Sequence, residues 1–239
     1  MTDSPETAVP NHHASHAPFS GATGLLVGLT MVRGRGAVAR LAADLTNVTE
    51  QDHVVDVGCG PGAFVREAHR RGARVTGVDP APVMIRLARA LTGKSGLVSW
   101  TEGTAEALPL PDASATVLWS VSTVHHWADV EQGLREAHRV LQPTGRLLAI
   151  ERRVSAGATG HASHGWTIDQ AETFARMCEA SGFEATRMET HVAGRRPVVA
   201  VLAQRSPAAS GAEDLAGAAR NLDVLTRVDD EDLRVTREP

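Results

Sequence analysis

The sequence contains no tyrosine, and Lys94 is its single lysine. These absences exclude chemistry that needs a tyrosine, such as the Tyr and Lys pair of short-chain dehydrogenases, or chemistry that needs several lysines. The two cysteines, Cys59 and Cys178, lie far apart and match no paired spacing, so they predict neither a disulfide framework nor a CxxC metal site. Alanine and arginine are abundant instead, a bias typical of a high-GC bacterial gene.

Long apolar runs and an excess of basic residues are also missing. No run approaches the roughly 18 uncharged apolar residues of a membrane span, and residues 1–20 lack the basic start and apolar middle of a secretion signal. The formal net charge is -4, and residues 206–239 alone carry eight acids and four arginines. We therefore expect a cytoplasmic protein that binds neither a membrane nor nucleic acid.

The length of 239 residues and the apolar content of 42% suit one substantial core. Four parts are predicted along the chain. They are a disordered segment rich in Pro, His, Ser and Thr (1–18), a glycine-studded helical segment that could act as a lid (19–46), one α/β domain (47–205), and an acidic tail that is at most partly helical around 211–226 (206–239).

From residue 53 onward, short β-branched runs alternate with helical stretches, as a parallel sheet requires. The predicted strands are 53–57, 74–78, 97–101, 115–120 and 146–150. The predicted helices are 62–71, 81–92, 130–141 and 168–181. Two final runs, 183–192 and 197–204, are separated by Gly194-Arg-Arg196 and predict an antiparallel hairpin at the edge of the sheet.

The strongest local pattern is the apolar strand that runs into the turn Gly58-Cys-Gly-Pro-Gly62 and then into a helix. Glycines allow a ligand to approach the backbone closely, and a helix N-terminus favours a negative group. Asp79 follows Gly58 by 21 residues, at the end of the next strand, where a carboxylate suits a ribose diol. Together these features predict a cofactor that contains a nucleoside.

The same turn also satisfies the loose dinucleotide fingerprint, as Gly58-x-Gly60-x-x-Ala63. Two details disfavour that cofactor. Pro61 removes a backbone donor from the turn, which is unfavourable for a pyrophosphate. Asp56 would place a carboxylate near the same anion, but it suits the ammonium group of an amino-acid moiety. Because the turn still satisfies the fingerprint, a dinucleotide-dependent oxidoreductase stays open as a second hypothesis.

Five segments, in this order and spacing, resemble the class I S-adenosylmethionine-dependent methyltransferases, specifically the type 11 group. They are VVDVGCGPG (54–62), VTGVDPAPVMIRLAR (75–89), EGTAEALPLPDAS (102–114), STVHHWAD (122–129) and REAHRVLQPTGRLLAIE (135–151). The resemblance implies a Rossmann-like, doubly wound, seven-stranded sheet, mostly parallel with an antiparallel C-terminal edge hairpin. It also implies S-adenosyl-L-methionine as cofactor and methyl transfer to a small-molecule acceptor by in-line displacement.

The resemblance also implies which residues bind the cofactor. Those that would hold its methionine part are Asp56, Gly58, Cys59 and Gly60, and Ser120 would lie below the sulfonium. Asp79 would bind the ribose hydroxyls. Those that would surround the adenine are Pro80, Met84, Thr104, Ala105 and Glu106. Thr104 stands where the family usually has an acid, so the adenine contacts follow less directly than the ribose contacts.

His125 and His126 follow the fourth predicted strand, and open parallel sheets place their active sites beyond the carboxyl ends of strands. A histidine that faces the acceptor is a candidate general base, which is needed only where the acceptor loses a proton. The alternatives are a wall of the pocket or helix packing. His125 and His126 are therefore the candidate catalytic residues.

We expect no metal site, because no carboxylate cluster accompanies these histidines in the sequence. Arg195 and Arg196 are expected to be solvated. His161 and His164 are likewise expected to be solvated loop residues rather than ligands, whereas His12, His13 and His16 could in principle gather a metal.

The acceptor is predicted to be a small molecule. The run Ser120-Val-Ser-Thr123 lacks the Asn or Asp-Pro-Pro-aromatic motif of nucleobase amino-methylation, and it lacks the cysteine of cytosine C5 chemistry. The insert at 151–168 is short, so the acceptor pocket must be covered by residues 11–46, by a partner subunit or by the tail. The protein is expected to be a monomer or a homodimer. A catalytically silent, cofactor-binding regulatory protein stays open as a third hypothesis.

Overall fold

The computed structural model describes residues 10–11 and 34–207, apart from the side chains of residues 161 and 162. The strands are β1 (His53–Val57), β2 (Arg74–Asp79), β3 (Val98–Glu102), β4 (Ala115–Val121), β5 (Leu141–Arg152), β6 (Phe183–Ala193) and β7 (Arg196–Arg205). The helices are α1 (Gly36–Leu45), α2 (Ala63–Arg70), α3 (Pro82–Thr92), α4 (Val130–Val140) and α5 (Ile168–Ala180). Two short 3-10 helices cover Val124–His126 and Gly160–Ser163.

The seven strands form one sheet in the order β3-β2-β1-β4-β5-β7-β6. Strands β1 to β5 pair in parallel, whereas β7 runs antiparallel to both β5 and β6. The chain builds outward from β1 to β3 and then crosses to β4 on the other side, so the switch point lies between β1 and β4. This topology confirms the predicted Rossmann-like sheet with its antiparallel C-terminal hairpin.

Apolar layers cover both faces of the sheet. Val54 packs with α1, α2 and α3, whereas the next residue, Val55, packs with α4 and α5 on the opposite face. Every residue of β1 is buried as a result, and strands of this kind read as continuous apolar runs in a sequence. Polar groups that serve a ligand are therefore expected at the strand ends.

The predicted boundaries agree with the observed ones to within a residue or two, except at the start of β5. Leu141 already pairs with Ala115, and a register shift then brings Arg146 opposite Val117. The segment Gln142-Pro-Thr-Gly145 between these two pairings follows the end of α4 at Val140, and its Thr144 adopts a positive φ of 63°. The sequence predicted the regular part of this strand from 146 onward and missed its irregular beginning.

Helix α1 belongs to the core. Its buried residues are Val38, Ala39, Ala42 and Ala43. Just beyond the helix, the Oγ1 atom of Thr46 accepts a hydrogen bond of 3.1 Å from Nε1 of Trp119 on β4. The predicted helix is thus confirmed over 36–45. The lid hypothesis now concerns residues 19–33, which lie outside the described residues.

Residues 10 and 11 contact two tryptophans of the domain. The Nε1 atom of Trp166 donates to the carbonyl oxygen of Pro10 at 2.8 Å, and Nδ2 of Asn11 donates to that of Trp127 at 3.1 Å. The rest of the predicted disordered segment, its histidines His12, His13 and His16, and the acidic tail from residue 208 lie outside the described residues. Within the described ranges, no helix has the length and apolar character needed to cross a membrane.

Candidate active site

A cavity of about 690 Å³ lies at the carboxyl ends of β1, β2 and β4, beside the switch point. This volume is in the range of small-molecule sites. The predicted site residues that line it are Gly58, Gly60, Asp79, Pro80, Met84, Thr104, Ala105, Glu106 and His126. The predicted residues that lie behind its wall are Asp56, Cys59, Ser120 and His125.

The glycine turn uses its backbone N–H groups within the protein. Gly58 and Cys59 donate to the carbonyl oxygen of Val78 at 2.8 and 3.0 Å, and Gly62 donates to that of Cys59 at 3.0 Å. Pro61 has no N–H group. Glycine turns of dinucleotide sites contribute such backbone donors to the pyrophosphate, and in this turn the N–H groups named above are already engaged. The turn therefore favours a nucleoside cofactor without a pyrophosphate.

Asp79, at the end of β2, is held by two backbone groups. Its Oδ2 atom accepts from the N–H of Gly60 at 2.8 Å, and its Oδ1 atom accepts from that of Ala81 at 2.9 Å. Burial raises the pKa of Asp79, and the two hydrogen bonds oppose that shift. Each carboxylate oxygen keeps further acceptor capacity on the cavity wall, which suits a pair of neighbouring hydroxyls.

Asp56, at the end of β1, is a buried carboxylate that is 1% exposed. Neither of its oxygens has a hydrogen-bond partner among the described residues. Burial raises the pKa of Asp56 to about 7; the guanidinium of Arg35 lowers it and Asp79 raises it. Because a buried polar group without a partner is unfavourable, this carboxylate fits a cationic group supplied by a ligand. The carboxylate of Asp56 thus fits the ammonium group at the methionine end of S-adenosylmethionine.

Two other predicted residues lie one layer deeper than the cavity. The Sγ atom of Cys59 packs at 3.0 Å from the position that a Cβ atom would take at Gly77, and burial raises the pKa of this thiol. The hydroxyl of Ser120 lies 2.6 Å from that of Thr123, which donates to the carbonyl oxygen of Val57 at 3.1 Å. Thr123 lines the cavity, whereas Ser120, which was predicted to lie below the sulfonium, does not.

The residues predicted for the adenine edge follow β3. Thr104, Ala105 and Glu106 line the cavity. The carboxylate of Glu106 also accepts from the backbone N–H groups of Ala128 and Asp129, at 2.7 and 3.3 Å. Glu106 therefore ties the adenine side of the cavity to the loop that follows β4.

The loop after β4 separates the two candidate catalytic histidines. Ser122 adopts a positive φ of 59° and donates its N–H to the carbonyl oxygen of Ile150 at 2.7 Å, so the chain turns sharply into the 3-10 helix. His126 then lines the cavity. His125 is 3% exposed, and its Nδ1 atom lies 2.9 Å from Oε2 of the fully buried Glu151. His125 is thus set behind His126.

Sequence reasoning missed Arg35, and it expected His164 to be a solvated loop residue. Both side chains line the cavity. His164 is half-buried rather than solvated, because the loop after β5 is drawn in where the Nε atom of Arg152 donates to the carbonyl oxygen of His164 at 2.9 Å. Gly165, at φ 141°, is the one local signal of this close approach. No local pattern marks Arg35.

His164 joins the two other histidines in one cluster. Within the described part of the chain, the group of His125, His126 and His164 has ligand atoms that all lie within 4.8 Å of one another. The ring centroids of His125 and His126 are 4.1 Å apart, and that of His164 is 5.6 Å from each. Two separate loops, after β4 and after β5, therefore meet at one imidazole cluster.

Comparison with known proteins bears on this cavity. Residues 55–149 match the model of a methyltransferase domain, Methyltransf_11. The chain is similar to the demethylmenaquinone methyltransferase of Tropheryma whipplei, at 36% identity over 47% of this chain and 46% of the relative. That of Deinococcus radiodurans is 36% identical over 60% of each chain. The matches span about half the length of these curated relatives.

Solved structures share the fold. An S-adenosylmethionine-dependent methyltransferase from Aquifex aeolicus superposes with a TM-score of 0.64 at 18% identity, over 75% of this chain and 97% of the other. One from Mesorhizobium loti gives 0.58 at 22%, over 73% and 100%. The [4+2]-cyclase SpnF gives 0.62 at 18%, over 84% and 89%.

The matched segment contains the glycine turn, Asp79, the adenine edge and the histidine loop, so the resemblance carried by the five sequence segments is confirmed. S-adenosyl-L-methionine is the cofactor of this family. Over this segment the chain is similar to the class I S-adenosyl-L-methionine-dependent methyltransferases of the type 11 group.

Proposed function

We propose that this protein transfers a methyl group from S-adenosyl-L-methionine to a small-molecule acceptor. One observation carries the proposal: Asp56, a buried carboxylate without a hydrogen-bond partner among the described residues, precedes the same glycine turn that binds Asp79 on the cavity wall. One carboxylate suits an ammonium group and the other suits a ribose diol. This pair distinguishes the proposed cofactor from nucleosides that lack an amino-acid part.

In this proposal the cofactor lies along the ends of β1 and β2. Asp56 and the turn Gly58–Gly60 hold its methionine end, and Asp79 holds its ribose. The residues that enclose its adenine are Pro80, Met84, Thr104 and Ala105, all of which line the cavity. When bound, this cofactor supplies a methyl group on a sulfonium, and an in-line displacement moves the methyl to the acceptor while sulfur keeps the bonding electron pair.

The acceptor then lies on the opposite wall, which the loops after β4 and β5 build. Trp127 offers an apolar surface there, and His126 and His164 offer imidazoles. Holding the acceptor about 3 Å from the methyl carbon supplies much of the rate of such a displacement. His126 is the residue we place against the acceptor. His125, which is buried on Glu151, acts as a positioning residue behind it.

The class of acceptor rests on this wall and on the names of the relatives. A tryptophan, an alanine and two histidines suit a partly apolar molecule with a polar edge. The first relatives named above are demethylmenaquinone methyltransferases, so a hydroxylated quinol precursor is the first acceptor to test. The acceptor is proposed to be free in solution rather than part of a nucleic acid.

Two alternatives are weighed by the same observations. A dinucleotide-dependent oxidoreductase is disfavoured because the backbone donors of the glycine turn are already engaged. A silent binding protein, or one with another reaction, is a matter for experiment. The fold neighbour named as a [4+2]-cyclase illustrates that a fold does not fix a reaction.

Calorimetry with S-adenosylhomocysteine and with NAD tests the cofactor. We expect binding of the first alone, and loss of that binding in Asp79→Ala. Binding of NAD alone, or unchanged affinity for S-adenosylhomocysteine in this variant, would overturn the assignment.

Transfer is tested with cofactor that carries a labelled methyl group, first with a quinol precursor and then with a bacterial small-molecule extract. His126→Ala should keep cofactor affinity and lose turnover by about 100-fold or more. His191→Ala, on β6 and paired with Glu189, is the matched control and should keep both. Cofactor binding without transfer to any acceptor would support the silent protein instead.

A further inference from the structure

The histidine cluster on the acceptor side has the composition of a metal centre. It offers three imidazoles, from His125, His126 and His164, whose ligand atoms all lie within 4.8 Å of one another. In a tetrahedral site with metal–nitrogen bonds of about 2.0–2.1 Å, the nitrogens lie about 3.4 Å apart. Side-chain rotations that bring the ligand nitrogens together by up to about 1.4 Å would therefore close the site.

The cluster also has the supporting carboxylate that metal-binding histidines usually have. Oε2 of Glu151 lies 2.9 Å from Nδ1 of His125, so the carboxylate orients this ring. Glu151 is 0% exposed, and its Oε1 atom has no hydrogen-bond partner among the described residues. A cation bound by the three imidazoles would lie beside this buried carboxyl group and would offset the cost of a charge there.

Hydrogen bonds between Arg152 and the loop after β5 hold the third histidine, His164, in the cluster. Arg152, at the end of β5, binds the loop twice: its Nε atom donates to the carbonyl oxygen of His164, and its own carbonyl oxygen accepts from the N–H of Trp166 at 2.9 Å. Gly165 lies between these contacts, where a Cβ atom would lie 2.1 Å from that carbonyl oxygen. The position of His164 is thus fixed by β5, which also carries Glu151.

The open side of the cluster faces the cavity. His126 and His164 line it, whereas His125 lies behind them. Three protein ligands with an open fourth position are the arrangement of catalytic rather than structural zinc sites. Imidazole ligands select zinc, copper, iron, cobalt or nickel over magnesium and calcium.

We propose that His125, His126 and His164 bind one divalent transition-metal ion, of which Zn²⁺ is the representative, with Glu151 as the group that orients His125. The ion would hold an oxygen or nitrogen of the acceptor beside the cofactor and favour its deprotonated form. This second part rests on the proposed methyltransferase function; the binding of the ion does not. In the loaded protein His126 is a metal ligand and reaches the acceptor through the ion.

The test uses the full chain, treated with a chelator and dialysed. Zn²⁺ is titrated by calorimetry, and Co²⁺ is added as a spectroscopic probe of tetrahedral nitrogen coordination. We expect one ion per chain, and a rise in melting temperature with Zn²⁺. His126→Ala and His164→Ala should lose both effects, and Glu151→Gln should weaken binding by about 10–100-fold.

Two controls make the assignment specific. His191→Ala should bind the ion as the wild type does, because its ring is paired with Glu189 on β6. A variant in which the N-terminal histidines are changed to alanine together should also retain the ion; these are His12, His13 and His16. Circular dichroism in the presence of chelator shows whether each variant is folded.

The outcomes separate the two proposals. Equal Zn²⁺ binding in wild type and His164→Ala, or binding that is lost only with the N-terminal histidines, overturns the metal site and leaves methyl transfer standing. Zn²⁺ binding through the three histidines with no binding of S-adenosylhomocysteine supports the metal site and overturns the proposed function. Methyl transfer that chelator abolishes and Zn²⁺ restores supports both.

Discussion

The backbone N–H of Gly60 donates to Oδ2 of Asp79 at 2.8 Å, and this bond joins the two strongest sequence signals of the chain. The turn and the acid are separate in sequence, on the ends of β1 and β2, and these strands pair in parallel. One hydrogen bond therefore shapes the turn and aims the carboxylate at the same time. A change at Asp79 is expected to disturb both.

Asp79→Asn should weaken S-adenosylhomocysteine binding by roughly 10–100-fold, since one oxygen that accepts a backbone N–H becomes an NH₂ group and the charge on the diol is lost. Isothermal calorimetry measures the change. Glu102→Gln is the matched control: Glu102 ends the neighbouring strand β3 and is exposed, so its affinity should equal that of the wild type.

Asp56→Asn should change stability and binding in opposite directions. Burial raises the pKa of Asp56 to about 7, so the folded protein binds more protons than the unfolded chain between the unfolded pKa and that value. The stability that this group contributes is present at low pH and is lost as pH rises through about 7. Relative to the variant, the wild type should thus lose about 3 kcal/mol between about pH 5 and about pH 8.

Urea unfolding of both proteins at the two pH values measures this difference. Asp79, whose pKa burial also raises, is present in both proteins, but it acts on the ionisation of Asp56 only in the wild type, so its part belongs to the measured difference. The variant should lose cofactor affinity at every pH, because an amide does not pair with an ammonium group. A difference in stability that is constant with pH would contradict the buried ionisation of Asp56.

His125→Ala should destabilise the protein by about 3–5 kcal/mol, because it leaves the carboxylate of Glu151 buried without its imidazole. His126→Ala, one residue further on the cavity wall, should cost less than about 1 kcal/mol and serves as the comparison. The double variant His125→Ala/Glu151→Gln should recover part of the loss. Additive losses in the double variant would show that the two side chains are not coupled.

Gly165→Ala should cost about 3 kcal/mol of unfolding free energy, since the new Cβ atom meets the backbone carbonyl oxygen of Arg152 and the loop must move. His164 moves with that loop, so turnover should fall as well. Gly157→Ala is the matched control. It also has a positive φ, of 78°, but a Cβ atom there meets nothing within 4 Å, so only the backbone strain of about 1 kcal/mol is expected.

The regular part of the fold was predictable because its signals are local. Buried parallel strands read as apolar runs, and β1 was predicted at the bounds it has, 53–57. The cofactor side was predictable for a similar reason: the turn and Asp79 lie on consecutive elements with a fixed spacing. Asp56 and Cys59 belong to the same pattern, yet their burial behind the wall depends on packing that a sequence does not show.

Only His126 of the proposed acceptor wall was predictable, because this wall joins parts of the chain that are distant in sequence. His126 follows β4 and His164 follows β5, and Arg35, which the sequence did not mark either, lines the cavity from just before α1. Their meeting depends on backbone hydrogen bonds such as the one between Arg152 and His164, which have no sequence period. A lone histidine in a loop resembles a solvated one until the loop is placed.

The family match ends at residue 149, and this boundary divides the cavity. Arg35, Gly160 and His164 line the cavity from outside the matched segment, whereas the glycine turn and Asp79 lie inside it. The wall built by the loop after β5 therefore lies beyond the family match, whereas the glycine turn and Asp79 lie within it. For protein engineering, a chimera that receives this loop from another methyltransferase would alter that wall and leave the glycine turn and Asp79 in place.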